Sequence, residues 1–143
     1  MKDVGLTHIA LEVRDLEASI DFYATFAAMQ VVHRRVGVAW LSDNTRPFVV
    51  VLIETDRIES SLRPPAHLGV ACATREEVDR LAELARKEDR LISGPEDAGP
   101  PVGYWVFIRA PDDHTLELSY GQEVEITVEG DGSLDSGPDH RSS

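Results

Sequence analysis

The 143-residue chain has one cysteine, Cys72, two methionines and two tryptophans, and aromatic residues make up 6% of it. A single cysteine excludes an internal disulfide and fits a reducing, cytoplasmic compartment. Basic residues are also scarce: 14 Lys and Arg stand against 26 Asp and Glu, for a net charge of −12. Nucleic acid and anionic membrane both need a basic surface, so neither is expected as a partner. No apolar run approaches the roughly 18 residues of a membrane span. Met1-Lys2-Asp3-Val4 lacks the apolar core of a signal peptide and reads as passing straight into structure. What is present is a 42% apolar content, enough for the core of one domain of ordinary size.

Two stretches repeat one design. Thr7-His8-Ile9-Ala10-Leu11-Glu12-Val13 alternates as a strand, with Ile9, Leu11 and Val13 on one face and His8, Ala10 and Glu12 on the other. Asp15 then stands as the N-cap of a helix. Ala66-His67-Leu68-Gly69-Val70-Ala71-Cys72 alternates likewise, with His67, Gly69 and Ala71 sharing a face, and Thr74 with Glu77 reads as a capping box. His8 and His67 correspond at an offset of 67 − 8 = 59. The chain therefore reads as two copies of one unit, each opening on an inward-facing histidine.

In order, the pattern predicts strand 5–13, helix 15–27 with a stripe of Leu16, Ile20, Tyr23 and Ala27, and strands 29–36, 37–42 and 48–54. Residues 55–65 are a polar connector ending in Pro64-Pro65. The second copy gives strand 66–72, helix 75–88 with Val78, Leu81 and Ala85 inward, and a short strand at Leu91-Ile92. A Gly- and Pro-rich loop, 93–102, follows and reads as a lid or a stiff connector; strands 103–109 and 114–120 complete the copy. Each half is thus β-α-β-β-β. Residues 123–129 alternate as an added edge strand, and 130–143 form an acidic tail expected to be disordered.

Glu117 and Ser119 share a face of the last strand, opposite Leu116, Leu118 and Tyr120. A carboxylate between leucines is costly to bury without a cation or donor. Two imidazoles and a carboxylate, His8, His67 and Glu117, are a common first shell for a divalent metal with open positions, where a substrate oxygen can be polarised. The bland readings are a capping histidine at His8, a pair between Glu117 and Arg109, a solvated rim at Glu12 and surface positions for His33 and His114. Trp40, Trp105 and Phe107, with Arg109, could line a substrate pocket or could be plain core. Cys72 reads as a core residue.

Leu6-Thr7-His8-Ile9-Ala10-Leu11, Asp15 to Tyr23, and Pro111-Asp112-Asp113-His114-Thr115-Leu116-Glu117-Leu118 together resemble the vicinal oxygen chelate superfamily: glyoxalase I, extradiol dioxygenases, fosfomycin resistance enzymes and bleomycin resistance proteins. The resemblance implies an α+β fold of two β-α-β-β-β modules, 4–56 and 65–122, forming one half-open barrel domain over residues 1–122. It implies His8, His67 and Glu117 as ligands of Fe, Mn, Ni or Zn, a small-molecule substrate and a homodimer. It implies a metal-dependent lyase, isomerase or dioxygenase; the alternative is a ligand-sequestering, resistance-like binding protein. A glyoxalase-type fourth ligand on the fourth strand falls at Leu52 in the best register, with Glu54 one step along the same face as ligand or catalytic base. Ala27-Ala28 replaces the family's Leu-Gly after the first helix, and Asp113 replaces the usual Gly of its turn.

Overall fold

A computed structural model describes residues 2–124. It carries eight strands, two helices and a single 3-10 turn. The first module comprises β1 (His8–Val13), α1 (Leu16–Ala27), β2 (Gln30–Arg35), β3 (Val38–Ser42) and β4 (Val49–Glu54). The second comprises β5 (Leu68–Ala71), α2 (Arg75–Lys87), β6 (Leu91–Asp97), β7 (Tyr104–Arg109) and β8 (Thr115–Tyr120), with the 3-10 turn Pro111–Asp113 before the last strand. The two sheets have matching orders, β1-β4-β3-β2 and β5-β8-β7-β6. The chain is therefore α+β with two β-α-β-β-β modules. No helix among the described residues is long and apolar enough to cross a membrane. By contacts it divides into two compact units, one holding residues through Leu68 with Ile108–Leu116, the other Gly69–Phe107 with the residues from Glu117.

In the first unit, β1 pairs parallel with β4, setting His8 beside Val49, Leu11 beside Leu52 and Val13 beside Glu54. Alternation then sorts the sheet. Leu11, Val13, Ala39, Leu41, Val50 and Leu52 are buried on the face that α1 covers. Asp15 caps α1 by accepting from the Ala18 N–H at 3.1 Å. The buried stripe of α1 runs through Leu16, Ser19, Phe22, Tyr23, Phe26 and Ala27, wider than expected, while Ile20 is only half-buried. Phe22 meets Tyr23 edge-on at 5.0 Å and Phe26 at 4.9 Å. Burial, then the nearby charge of Asp112, pushes the Tyr23 hydroxyl far above its usual range. The helix stops where the sequence left its end open: Ala28 takes the left-handed conformation at φ 54 and donates to the Tyr23 carbonyl.

In the second unit, α2 lays Val78, Leu81, Ala82 and Ala85 into the core. Thr74 accepts from the Glu77 N–H at 3.1 Å, but the Glu77 carboxylate takes Arg80 instead of closing the capping box. The third strand departs from expectation. β6 runs to Asp97, through Gly94 and Pro95, so the first half of the expected 93–102 loop is strand. A proline breaks no ladder bond at a sheet edge, and β6 is an edge. Gly94 is required by close approach: a Cβ there would stand 2.8 Å from the Trp105 carbonyl oxygen. Of the expected strand 123–129, all but the first two residues lie outside the described residues, as does the 130–143 tail.

Candidate functional site

In the first unit the face of the sheet away from α1 carries His8, Ala10 and Glu12, flanked by Val49, Val51 and Ile53 and then by Trp40 and Val38. Trp40 is half-buried and packs on His33 at 4.8 Å. His8 opens β1, exposed, with Nδ1 2.9 Å from the Thr7 hydroxyl. His67, just before β5, places Nδ1 2.7 Å from the Pro65 carbonyl. A carbonyl only accepts, so Nδ1 of His67 carries the proton in that bond. That is the arrangement in which an imidazole serves as a ligand, its other nitrogen fixed by a backbone oxygen.

In the second unit, the Cys72 N–H donates to the Ser119 carbonyl at 2.7 Å. An added Cβ on Gly69 would sit 3.4 Å from Oε1 of Glu117. Only a parallel pairing of β5 with β8 satisfies both, and it sets Gly69 beside Glu117 and Ala71 beside Ser119. On the other side of β8, the Ala110 N–H donates to the His114 carbonyl at 2.7 Å. Counted antiparallel from that bond, Phe107 stands opposite Glu117 and Trp105 opposite Ser119. The Trp105 and Phe107 rings meet tilted at 55° with centroids 4.9 Å apart, both half-buried. Glu117 is 6% exposed and its Oε1 accepts from Nε2 of Gln122 at 3.4 Å.

The repeat now has a register. Glu117 faces Gly69, two residues beyond His67; Val51 faces Ala10, two residues beyond His8. Val51, not Leu52, is therefore the first module's counterpart of Glu117. Leu52 and Glu54 lie on the opposite face, with Leu11 and Val13. The Glu54 carboxylate accepts from the Leu16 N–H at 3.0 Å, at the N-terminus of α1. Its expected role as fourth ligand or base is corrected accordingly: one residue of parity moves a side chain through the sheet, and this carboxylate is used to satisfy a helix terminus.

Three further positions differ from expectation. Oε1 of Glu12 accepts from the N–H groups of Glu59 and Ser60 at 2.8 and 3.3 Å, which pins the connector rather than leaving a solvated rim. His114 is buried at 2% exposure, not on the surface. It accepts from the Leu62 N–H through Nδ1 at 3.0 Å and donates from Nε2 to the Glu12 carbonyl at 2.8 Å. No alternation in the sequence marks His114, because both its partners are backbone groups far along the chain. Arg109 is exposed, with Nε 3.8 Å from Asp113. Two clefts of about 420 and 230 Å³ open beside the connector, the smaller lined by Ala10, Glu12, Leu62 and His114 among others. Cys72 is half-buried, and burial, reinforced by Glu77 and opposed by Arg80, pushes its thiol up.

Among the described residues no group of three or more His, Cys, Asp or Glu stands in metal-holding geometry. Taken singly, an imidazole with Nδ1 on a backbone carbonyl, as at His67, and a nearly buried carboxylate beside a glycine, as at Glu117, are donor types that divalent metals take.

A sequence profile of the Glyoxalase/Bleomycin resistance protein/Dioxygenase superfamily matches residues 5–118. The chain belongs to that superfamily. It is 37% identical to an uncharacterized protein of Pseudomonas aeruginosa, PA2024, over 126 residues, 83% of this chain and 90% of the relative. Among solved structures, a possible glyoxalase from Bacillus cereus superposes with a TM-score of 0.66 at 24% identity, covering 82% of this chain and 99% of that one. The fosfomycin resistance protein FosX of Listeria monocytogenes, in complex with Mn(II) and sulfate, gives 0.71 at 19% identity over 90% of this chain and 99% of that one. FosX of Mesorhizobium loti gives 0.68 at 21%, over 88% and 99%. At these identities the likeness to the solved structures is one of fold. Superfamily membership agrees with the strand orders, the helix positions and the twice-repeated module described above.

Proposed function

We propose that the protein is a metal-dependent enzyme acting on a small molecule, with His8, His67 and Glu117 as ligands of one divalent ion. The observation that carries this reading is Glu117. It is a carboxylate at 6% exposure with glycine on one neighbouring strand and phenylalanine on the other. A carboxylate oxygen is a donor that divalent ions of this kind take. The two histidines stand at the start of corresponding strands of the two modules, and the Nδ1 of His67 is engaged by the Pro65 carbonyl, which supports its Nε2 as a donor. Bound there, a divalent metal supplies Lewis-acid polarisation of adjacent substrate oxygens. In this reading the chain's own residues supply the rest: Trp40, Trp105 and Phe107 give apolar surface to the substrate and exclude water, and Arg109 meets an anionic group of it. With Glu54 at a helix terminus, this reading has three protein ligands, and its proton-moving group is not Glu54. FosX binds Mn(II), and Mn, Fe, Ni and Zn all suit an N/O donor set. A homodimer and a cytoplasmic location belong to the same reading; sedimentation of the purified protein tests the first.

The test is metal content of untagged protein beside single variants His8→Ala, His67→Ala and Glu117→Gln. About one ion per chain, lost in each variant, is the expected result. Wild-type protein that stays empty when each metal is offered in turn removes the enzyme reading and leaves the sequestering one, in which the aromatics hold a ligand without chemistry.

A further inference from the structure

The larger cleft, about 420 Å³, lies within the first unit. Its walls are the connector from Ile58 to Arg63, Arg14 just past β1, and the turn at Asp112 and Asp113. Bonds to backbone groups tie these walls together. The Arg14 N–H donates to Oδ2 of Asp112 at 3.0 Å, and the Ser61 hydroxyl donates to the Asp112 carbonyl at 2.7 Å. Oε1 of Glu12 holds the Glu59 and Ser60 N–H groups. The fold therefore shapes the cleft before anything enters it, which lowers the cost of binding there.

The charges around it are not all matched. Asp113 is met by Arg63 at 3.0 Å and by Arg109 at 3.8 Å, and Glu59 by Arg57 at 3.6 Å. One charge of each sign is left over. Among the described residues the Arg14 guanidinium has neither a hydrogen bond nor an ion pair, and the Asp112 carboxylate has only the Arg14 N–H. The two residues touch through that N–H, yet their charged groups do not pair with each other. Asp112 and Asp113 also stand at φ 66 and 65, a conformation that favours glycine, so carboxylates are kept here against a backbone cost.

This inventory selects the ligand. An anion drawn to Arg14 would meet Asp112 and two further carboxylates, and a cation drawn to Asp112 would meet two guanidinium groups. A molecule bearing both an ammonium and a carboxylate answers both unpaired groups at once. Half-buried Ile58 is the one apolar residue of the lining, suited to the methylenes between the two charges. We propose that this cleft binds a small aliphatic zwitterion, its carboxylate on the Arg14 guanidinium and its ammonium on the Asp112 carboxylate. The site uses none of His8, His67 and Glu117 and stands whether or not a metal binds to them.

The probes are glycine, γ-aminobutyrate and ε-aminocaproate, which space the two charges differently, with butyrate and butylamine as single-charge controls. Each is titrated into the full-length protein, and the backbone amide NMR shifts of Arg14, Ser60 and Asp112 report place and affinity together. At least one zwitterion is expected to shift these amides and to bind more tightly than either control. Arg14→Gln and Asp112→Asn are each expected to weaken it about fivefold, the scale of one exposed charge pair, and to keep the metal content of wild type. Asparagine still accepts from the Arg14 N–H and tolerates the left-handed φ; should that variant not fold, Arg14→Gln, whose side chain holds nothing in place, decides. Zwitterions that leave these amides unmoved overturn the proposal. So does a control that binds as tightly as every zwitterion, and so does an affinity unchanged in a folded variant.

Discussion

Replacing His114 with alanine tests the clamp that ties the connector to the first sheet. The imidazole receives the Leu62 N–H at 3.0 Å and gives its own Nε2–H to the Glu12 carbonyl at 2.8 Å. Removing it leaves one donor and one acceptor, both part-buried, without their partner. At about 1 kcal/mol for each part-buried group, plus about 1–2 kcal/mol for the void left by a fully buried ring, the loss is about 3–4 kcal/mol. That is a large share of the 5–15 kcal/mol by which a domain is usually stable, and corresponds to a fall of about 10 °C in melting temperature. Urea unfolding of wild type and variant gives the difference directly. His114→Phe refills the void without the bonds and should recover about half. Amide exchange localises the effect, because Leu62 loses its acceptor while its carbonyl still receives the Thr115 N–H at 2.6 Å. A change under about 0.5 kcal/mol for His114→Ala, or an unaltered Leu62 exchange rate, would refute the assignment of His114 as a structural clamp.

Other substitutions check other parts of the argument. Ala28→Gly should stabilise the protein by about 0.5–1 kcal/mol in thermal unfolding, since glycine avoids the left-handed penalty at φ 54 and gives back part of it as chain entropy. Glu54→Ala should cost about 1 kcal/mol through the uncapped Leu16 N–H and leave metal content as in wild type; a loss of metal would return Glu54 to the ligand set. The Cys72 thiol, pushed up by burial, should alkylate at neutral pH more slowly than an unstructured cysteine peptide, because the thiolate is the reacting form, and should catch up as pH rises through its raised pKa.

Much of this architecture was legible in the residues. The alternations at residues 7–13 and 66–72, each followed by a capping residue and a helical stripe, are local patterns with fixed periods, and they located both modules. Pro95 misled because proline signals an end to a strand unless the strand is an edge, and edge position is a property of the sheet. Glu54 misled for a related reason. Which face a residue takes depends on the pairing of β4 with β1, and a step of one moves it from the face of His8 to the face that α1 covers. His114 was read as a surface residue because nothing local marks a side chain whose partners are the backbone of residues 12 and 62.

The division follows from the range of the forces involved. Period, capping and turn preference act over a few residues, so the sequence alone determined two β-α-β-β-β modules, the opening histidines and the buried carboxylate at Glu117. Register, edge position and the meeting of distant backbone groups are set by pairing between strands far apart in the chain. Only the tertiary structure could therefore decide that Val51 answers to Glu117, that Glu54 caps a helix, that His114 holds the connector, and that Arg14 and Asp112 line one cleft with their charges unpaired.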